Sequence, residues 1–285
     1  MTTEKTADNI VFDECLSFEV FGVGIQVQFD SPEIKHILLS CYNAFVRQRK
    51  TYALSYRIKT FQNNGGYEIN SYSLDLGQPR NKSDLVYSFE KDIELQLQRL
   101  CAEWFFIHGA ALLLQDKVII LMAPSGNGKS TLTWGLLNHG FTYFSDELAP
   151  VELDTLRVKA YPCALCLKSH PPGPIDLPPE TLRLERTMYV PVKHLPGSYS
   201  LNEGKASAIF FVEYDSEIES PEIRPLTPGE SAAHLYANGL NQLAHSNRGL
   251  SAAATIAQNI NAFGLKTTSN LAACADLVVE TLRDL

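Results

Sequence analysis

With 285 residues, 45% of them hydrophobic and 20% charged, the chain has material for one large domain or two small ones and the composition of an ordinary globular protein. Its 24 basic and 32 acidic residues leave a net charge of −8, which argues against nucleic acid or an anionic membrane as the main partner. No basic-then-apolar leader opens the chain, no apolar run is long enough to span a bilayer, and six cysteines are too few for a disulfide framework; a cytoplasmic chain with reduced thiols is the expectation.

Residues 1–9 are polar and expected to fray. From Ile10 to Phe29 the chain reads as strand, with Ile25, Val27 and Phe29 alternating against Gln26 and Gln28. Ser31-Pro32 has the form of an N-cap followed by proline at the first helical position, and Ile34, Ile37, Leu38, Cys41 and Phe45 fall on one face of the helix that follows. Leu54, Tyr56 and Ile58 alternate as a strand, and Asn63-Asn64-Gly65-Gly66 suits a hairpin turn before the returning residues Tyr67, Ile69 and Tyr72. Gln78 to Lys82 is the best linker. It separates a β-rich subdomain, 1–82, from the remainder, 83–285. A long helix comes next, carrying Phe89, Ile93, Leu97, Leu100 and Trp104 at helical spacing, a stripe that reads as core.

The most informative stretch is Ala123-Pro124-Ser125-Gly126-Asn127-Gly128-Lys129-Ser130. It follows the apolar run 118–122 and precedes a helix opening near Lys129, which is the order a phosphate-binding P-loop requires. Gly126 and Gly128 let successive amides point at one anion, and the helix end adds a positive dipole. Ser125, Gly126, Asn127, Gly128, Lys129, Ser130 and Thr131 would therefore hold the phosphates of a nucleoside triphosphate. Lys129 can reach the β- and γ-phosphates, and Ser130 is placed to ligate Mg²⁺.

If 110–114 and 118–122 form a hairpin in which Leu114 faces Val118, opposed residue numbers sum to 232 and His108 falls beside Pro124, at the mouth of the loop. A histidine there can exchange protons near the γ-phosphate, or it can simply cap a strand end. After the loop, about ten helical residues run back roughly 15 Å to Gly140, a suitable helix terminator. A short strand, 141–144, then runs parallel to 118–122 through a right-handed crossover. That brings Ser145-Asp146-Glu147 to the sheet edge where the phosphates would sit. Two adjacent acids suit a metal ligand and a base; a solvated acidic loop is the alternative.

His108-Gly109, the 123–130 loop, Gly140 and Ser145-Asp146-Glu147 together resemble the HPr serine kinase group, and most of all its HPr kinase-related branch, some members of which phosphorylate precursor peptides. The resemblance is specific over about 105–150 and looser over 160–213 and 225–285; it does not extend to the N-terminal 80 residues. It implies an α/β P-loop kinase core of the HPr kinase and phosphoenolpyruvate carboxykinase type. By that resemblance Asp146 is the base toward the acceptor, assisted by His108, and Glu147 holds Mg²⁺; this chain has Glu147 where the family has Asp. Related kinases also carry a Leu-x-Leu-Lys segment, which makes Lys168 a candidate for nucleotide or acceptor phosphate, against the reading of an ordinary surface lysine.

Tyr161 to Lys168 reads as a strand pair, and Cys163-x-x-Cys166, with no second pair, reads as apolar packing. Seven of the 15 prolines lie between Pro171 and Pro196, so a long surface loop is expected there. Ala208 to Tyr214 is a strand. Thr227-Pro228-Gly229-Glu230 is a capping box opening a helix through Leu235 and Leu243; helices near 250–262 and 270–285, with a strand at 263–266 between them, close the chain.

The reading is an ATP- and Mg²⁺-dependent kinase that phosphorylates a serine hydroxyl of a peptide or small protein. A small-molecule kinase acting on free serine, or a nucleotide sensor without catalysis, are the alternatives. The reverse reaction and a homo-oligomeric state are left open.

Overall fold

The computed structural model describes residues 14–61, 65–71, 74–173 and 176–285. The expected frayed segment 1–9, the first strand residues from Ile10 to Asp13, Asn63-Asn64 of the expected turn, and Tyr72 lie outside these. The chain is mixed α and β with several sheets. Its contacts divide it into two compact units, Met1–Leu39 with Phe45–Phe89, and Ser40–Ala44 with Glu90–Leu285.

The first unit is built on a five-stranded sheet: β1 (Glu14–Val20), β2 (Val23–Phe29), β3 (Leu54–Thr60), β4 (Tyr67–Ser71) and β5 (Leu74–Asp75), paired in that order. The single strand read over 10–29 is therefore a hairpin. Phe21 and Gly22 take φ of 52° and 80°, the two left-handed residues that a tight two-residue turn demands. Helix α1 (Pro32–Tyr42) starts at Ser31, whose Oγ accepts the Ile34 amide, and Ile34 and Ile37 are buried. It stops at Tyr42, and Phe45 belongs to a separate 3₁₀ turn.

Helix α2 (Lys82–Leu100) opens at Asn81, whose side chain accepts the Asp84 amide at 2.8 Å. The unit division falls inside it, between Phe89 and Glu90. It ends before Trp104. Leu100, expected in the buried stripe, is exposed, and Cys101 is buried just beyond the helix.

The second unit contains β6 (Phe105–His108), β7 (Ala110–Leu114), β8 (Lys117–Met122), α3 (Lys129–Leu137), β9 (Thr142–Ser145), β10 (Leu148–Glu152) and β11 (Arg157–Lys159). A second stretch holds β12 (Leu165–Leu167), β13 (Leu182–Arg183), β14 (Met188–Val190), β15 (Glu203–Tyr214) and β16 (Glu222–Pro225). Helices α4 (Pro228–Ala237) and α5 (Leu250–Asn259), strand β17 (Asn261–Thr267) and helix α6 (Leu271–Arg283) close it.

The main sheet runs β6-β10-β11-β15-β8-β7-β9, with β17 pairing β15 and β16 pairing β17. Strands β8, β15 and β17 are parallel. Because β7 is antiparallel to both β8 and β9, β9 runs parallel to β8 but one strand away. The ends of β8, β9, β15 and β17 thus share one edge of the sheet.

Alternation along the central strands builds two cores. Ile119, Leu121, Ala208 and Phe210 face α3 and α6, while Val118, Ile120, Ala206 and Ile209 face α4 and α5. Each fully buried Val, Ile, Leu or Phe among them contributes about 1.5–3 kcal/mol, so a register slip of one residue would be ruinous. The expected β7–β8 register is corrected by one. Ala110 faces Leu121 and Leu114 faces Lys117, because the turn holds only Gln115 and Asp116.

Three other expectations are also revised. The proline-rich stretch is not only a surface loop: β14 pairs both β12 and β13, and Val190 is fully buried in the α3 core. Pro171, Pro172, Pro178 and Pro179 fall between β12 and β13, and Pro191 and Pro196 follow β14, so none of these interrupts a ladder. Of the strand pair read over 161–168, only β12 forms. The capping box at Thr227 forms as read, but α4 ends at Ala237 and Leu243 lies in a separate 3₁₀ turn.

Candidate active site

The 123–130 loop joins β8 to α3 at the shared sheet edge. Gly126 and Gly128 have φ of 91° and 84°, a conformation that side-chain-bearing residues resist. Gly128 is also the N-cap of α3 and supplies no side-chain cap, so the first amides of the helix are left open for an external acceptor. The loop is tied within itself by the Asn127 amide, donated to the Pro124 carbonyl at 3.1 Å. Pro124, Ser125 and Gly126 are exposed, and Thr131 lies in the first turn of the helix.

Lys129 turns inward. Its Nζ donates to Asp146 Oδ1 at 2.8 Å and also to the Asp146 carbonyl, with the two side chains 10% and 1% exposed. Ser130 Oγ donates to Asp146 Oδ2 at 2.7 Å. Burial opposes the lysine charge, but Asp146 and Glu147 outweigh it and hold Lys129 above its usual range.

Asp146 and Glu147 follow directly on β9, and their side chains diverge. Glu147 Oε2 lies 3.7 Å from His108 Nδ1, and both side chains are about one-third exposed. The strands bearing them are laced together: the Gly109 amide donates to the Glu147 carbonyl at 3.3 Å, and β6 pairs β10 with His108 opposite Leu148. A Cβ at Gly109 would stand 2.8 Å from the Leu121 carbonyl, so only glycine lets the chain pass there. Burial lowers the His108 pKa against the pull of Glu147, which leaves the ring neutral near pH 7 and able to accept a proton.

All the residues singled out in the sequence gather at this edge, but their partners differ from those the resemblance implies. Ser130 meets Asp146, not Glu147. His108 meets Glu147, not Asp146. Lys168, exposed just past β12, donates to Ser125 Oγ and so reaches the loop.

Three residues of α2 near the site, Glu90, Lys91 and Glu94, escaped the sequence reading. Lys91 of α2 pairs with Glu94 at 2.7 Å and lies 4.0 Å from Glu147. The clue was available: Glu90 and Glu94 sit one helical turn apart among the apolar stripe of α2, and acids in such a stripe need partners. Glu90 bonds Tyr189 Oη at 3.2 Å, and burial, then Glu94 and Glu147, push its pKa up to about 8. Burial likewise pushes the Cys166 thiol up to about 12, and Cys163 is buried, so neither is a ready thiolate ligand.

The donor set suits Mg²⁺. Ser130 and Asp146 present hard oxygens within 2.7 Å of one another, and Mg²⁺ takes one or two carboxylates and fills its octahedron with phosphate oxygens and water. Among the described residues no group of three or more His, Cys, Asp or Glu has a metal-holding arrangement. None of the helices described is long and apolar enough to cross a membrane.

No protein-family model matches the chain, and no curated protein does. Among solved structures, the Hpr(Ser) kinase/phosphatase from Coxiella burnetii is similar over 62% of this chain and 95% of that one, at 13% identity and a TM-score of 0.36. At that distance the likeness carries no functional argument.

Proposed function

We propose that this chain is an ATP-dependent phosphotransferase in which the 123–130 loop is a P-loop and the acceptor is a hydroxyl, that of a serine on a peptide or small protein. One observation carries the reading: at the end of a β-strand–glycine loop–helix unit, Lys129 and Ser130 converge on Asp146. P-loop phosphotransferases hold the metal between the loop hydroxyl and such an acid, with the loop lysine on the β- and γ-phosphates.

We assign the two acids opposite roles from those the family resemblance implies. Asp146, buried and bound to both loop side chains, belongs on the phosphate side with Ser130. Glu147, accessible and beside a neutral His108, belongs on the acceptor side. Bound Mg²⁺ would neutralise charge developing on the transferred group.

The chain's own residues do the rest. The open α3 amides and Lys129 grip the phosphates, and Lys129 exchanges Asp146 for a phosphate oxygen as the nucleotide enters. Glu147 accepts the proton of the acceptor hydroxyl, with His108 Nδ1 3.7 Å from its carboxylate. The hydroxyl oxygen bonds to the γ-phosphorus, the bond to the bridging oxygen breaks, and ADP leaves with that electron pair. Lys168 lies close enough to the loop to meet a phosphate or acceptor oxygen.

Incubation with γ-labelled ATP, Mg²⁺ and a panel of serine-containing peptides, small proteins and free serine tests this. Label should pass to a macromolecular acceptor in the wild type and not in Lys129→Ala. Transfer to free serine alone would move the acceptor to a small molecule, and ATP binding with no transfer to any acceptor or to water would leave a nucleotide sensor.

A further inference from the structure

A second concavity adjoins the loop, on the side away from the acids. It has a volume of about 520 Å³ and its near wall is Ala123, Pro124 and Asn127 of the loop itself. Its floor is the end of β15 and β17, and its outer wall is β16 and the last turn of α4. In the sheet order β15-β8-β7-β9, the loop springs from β8, Asp146 lies beyond β7, and this cavity lies on the β15 side. Neither His108, Asp146 nor Glu147 lines it.

Resting on the P-loop reading, we infer that this cavity receives the nucleoside end of the triphosphate. A nucleoside triphosphate is elongated. With its terminal phosphoryl at Lys129 and Asp146, its base and ribose must leave the loop by another side, and ligands of such sheets lie beyond the carboxyl ends of the strands. The cavity occupies that position and is of ordinary size for a small-molecule site.

Its chemistry matches a nucleoside. Phe211 and His234 stack with centroids 4.5 Å apart and planes at 29°, giving a flat aromatic platform on which a base can lie. Glu213, Glu222 and Arg224 stand around this platform as partners for ribose hydroxyls and base edges. Asn238, whose carbonyl accepts the His108 amide at 2.9 Å, closes the far wall, which makes the phosphate acceptor the competing occupant.

Gly264 provides a clean test. It lines the cavity, its φ is ordinary, and a Cβ there would meet nothing nearer than Arg224 Cγ at 3.5 Å, so Gly264→Leu fills the cavity without straining the strand. Binding of ATP and of inorganic tripolyphosphate, each with Mg²⁺, is measured by calorimetry on the wild type, Gly264→Leu and the exposed-site variant His234→Ala. The inference requires Gly264→Leu to weaken ATP at least tenfold and His234→Ala to weaken it severalfold, with tripolyphosphate unchanged in both. Unchanged ATP affinity in folded Gly264→Leu, the result expected of an acceptor pocket, overturns it. If Gly264→Leu loses both ligands, His234→Ala decides alone, and equal ATP affinity there overturns it. A wild type that binds neither ligand would overturn the P-loop reading and this inference with it.

Discussion

Glu147 Oε2 stands 3.7 Å from His108 Nδ1, while the neighbouring acid, Asp146, turns the other way onto Lys129 and Ser130. Two consecutive carboxylates therefore occupy different chemical settings, one accessible and one buried, and this divergence separates their expected phenotypes.

Glu147→Gln should bind MgATP with near wild-type affinity and lose about 10²–10⁴-fold in transfer rate, the range for removing a general base. Asp146→Asn should instead weaken MgATP binding while having less effect on ATP without the metal. Paired calorimetry and transfer assays separate the two; the reverse pattern would restore Asp146 as the base.

The pH dependence should follow His108. Burial holds its pKa below the ordinary 6.5, so the ring stays neutral through neutral pH and its contribution disappears only as pH falls below that value. A kcat/KM profile should have an acid limb centred below 6.5, and His108→Ala should change the position of that limb. A limb that does not move would assign it to another group.

Removing the lysine should also destabilise the fold. Asp146 is 2% exposed, and Lys129→Ala strands its charge, a change that costs about 3–5 kcal/mol when a buried pair is broken. The double variant Lys129→Ala/Asp146→Ala should recover part of that loss in denaturant titration, since no unpaired charge remains. A double variant less stable than the single one would contradict the coupling.

Glu90 predicts a second pH effect. Its folded pKa of about 8 lies above its ordinary 4.5, so its contribution to stability is fully present below pH 4.5 and is lost as pH rises through 8. Glu90→Gln should raise the melting temperature more at pH 9 than at pH 5. Equal shifts at the two pH values would show that the carboxyl is not held protonated.

The loop could be read from the sequence because its signal is local: two glycines, a lysine and a serine between a strand and a helix. The edge that holds Asp146 and Glu147 followed from strand direction. Extending the β7–β8 hairpin puts His108 beside Pro124, whereas it ends β6, which pairs β10 and sets it opposite Leu148. What the sequence hid was orientation. Adjacent residues leaving β9 diverge, and no spacing rule says which of Asp146 and Glu147 meets Ser130. The β7–β8 register was missed by one because Gln115 takes a φ of 57° without being glycine, so the turn is shorter than its residue types suggest. The Phe21-Gly22 turn lacks the usual asparagine or aspartate for the same kind of conformation. In the 171–196 stretch, prolines marked the gaps between short strands, and their density masked the strands themselves.

The most direct measurement is a calorimetric titration of MgATP into the wild type and into Lys129→Ala, with thermal melting to confirm that the variant is folded. Saturable one-site binding that is abolished in the variant is the predicted result. Equal affinity in the two proteins would show that the 123–130 loop does not hold the phosphates.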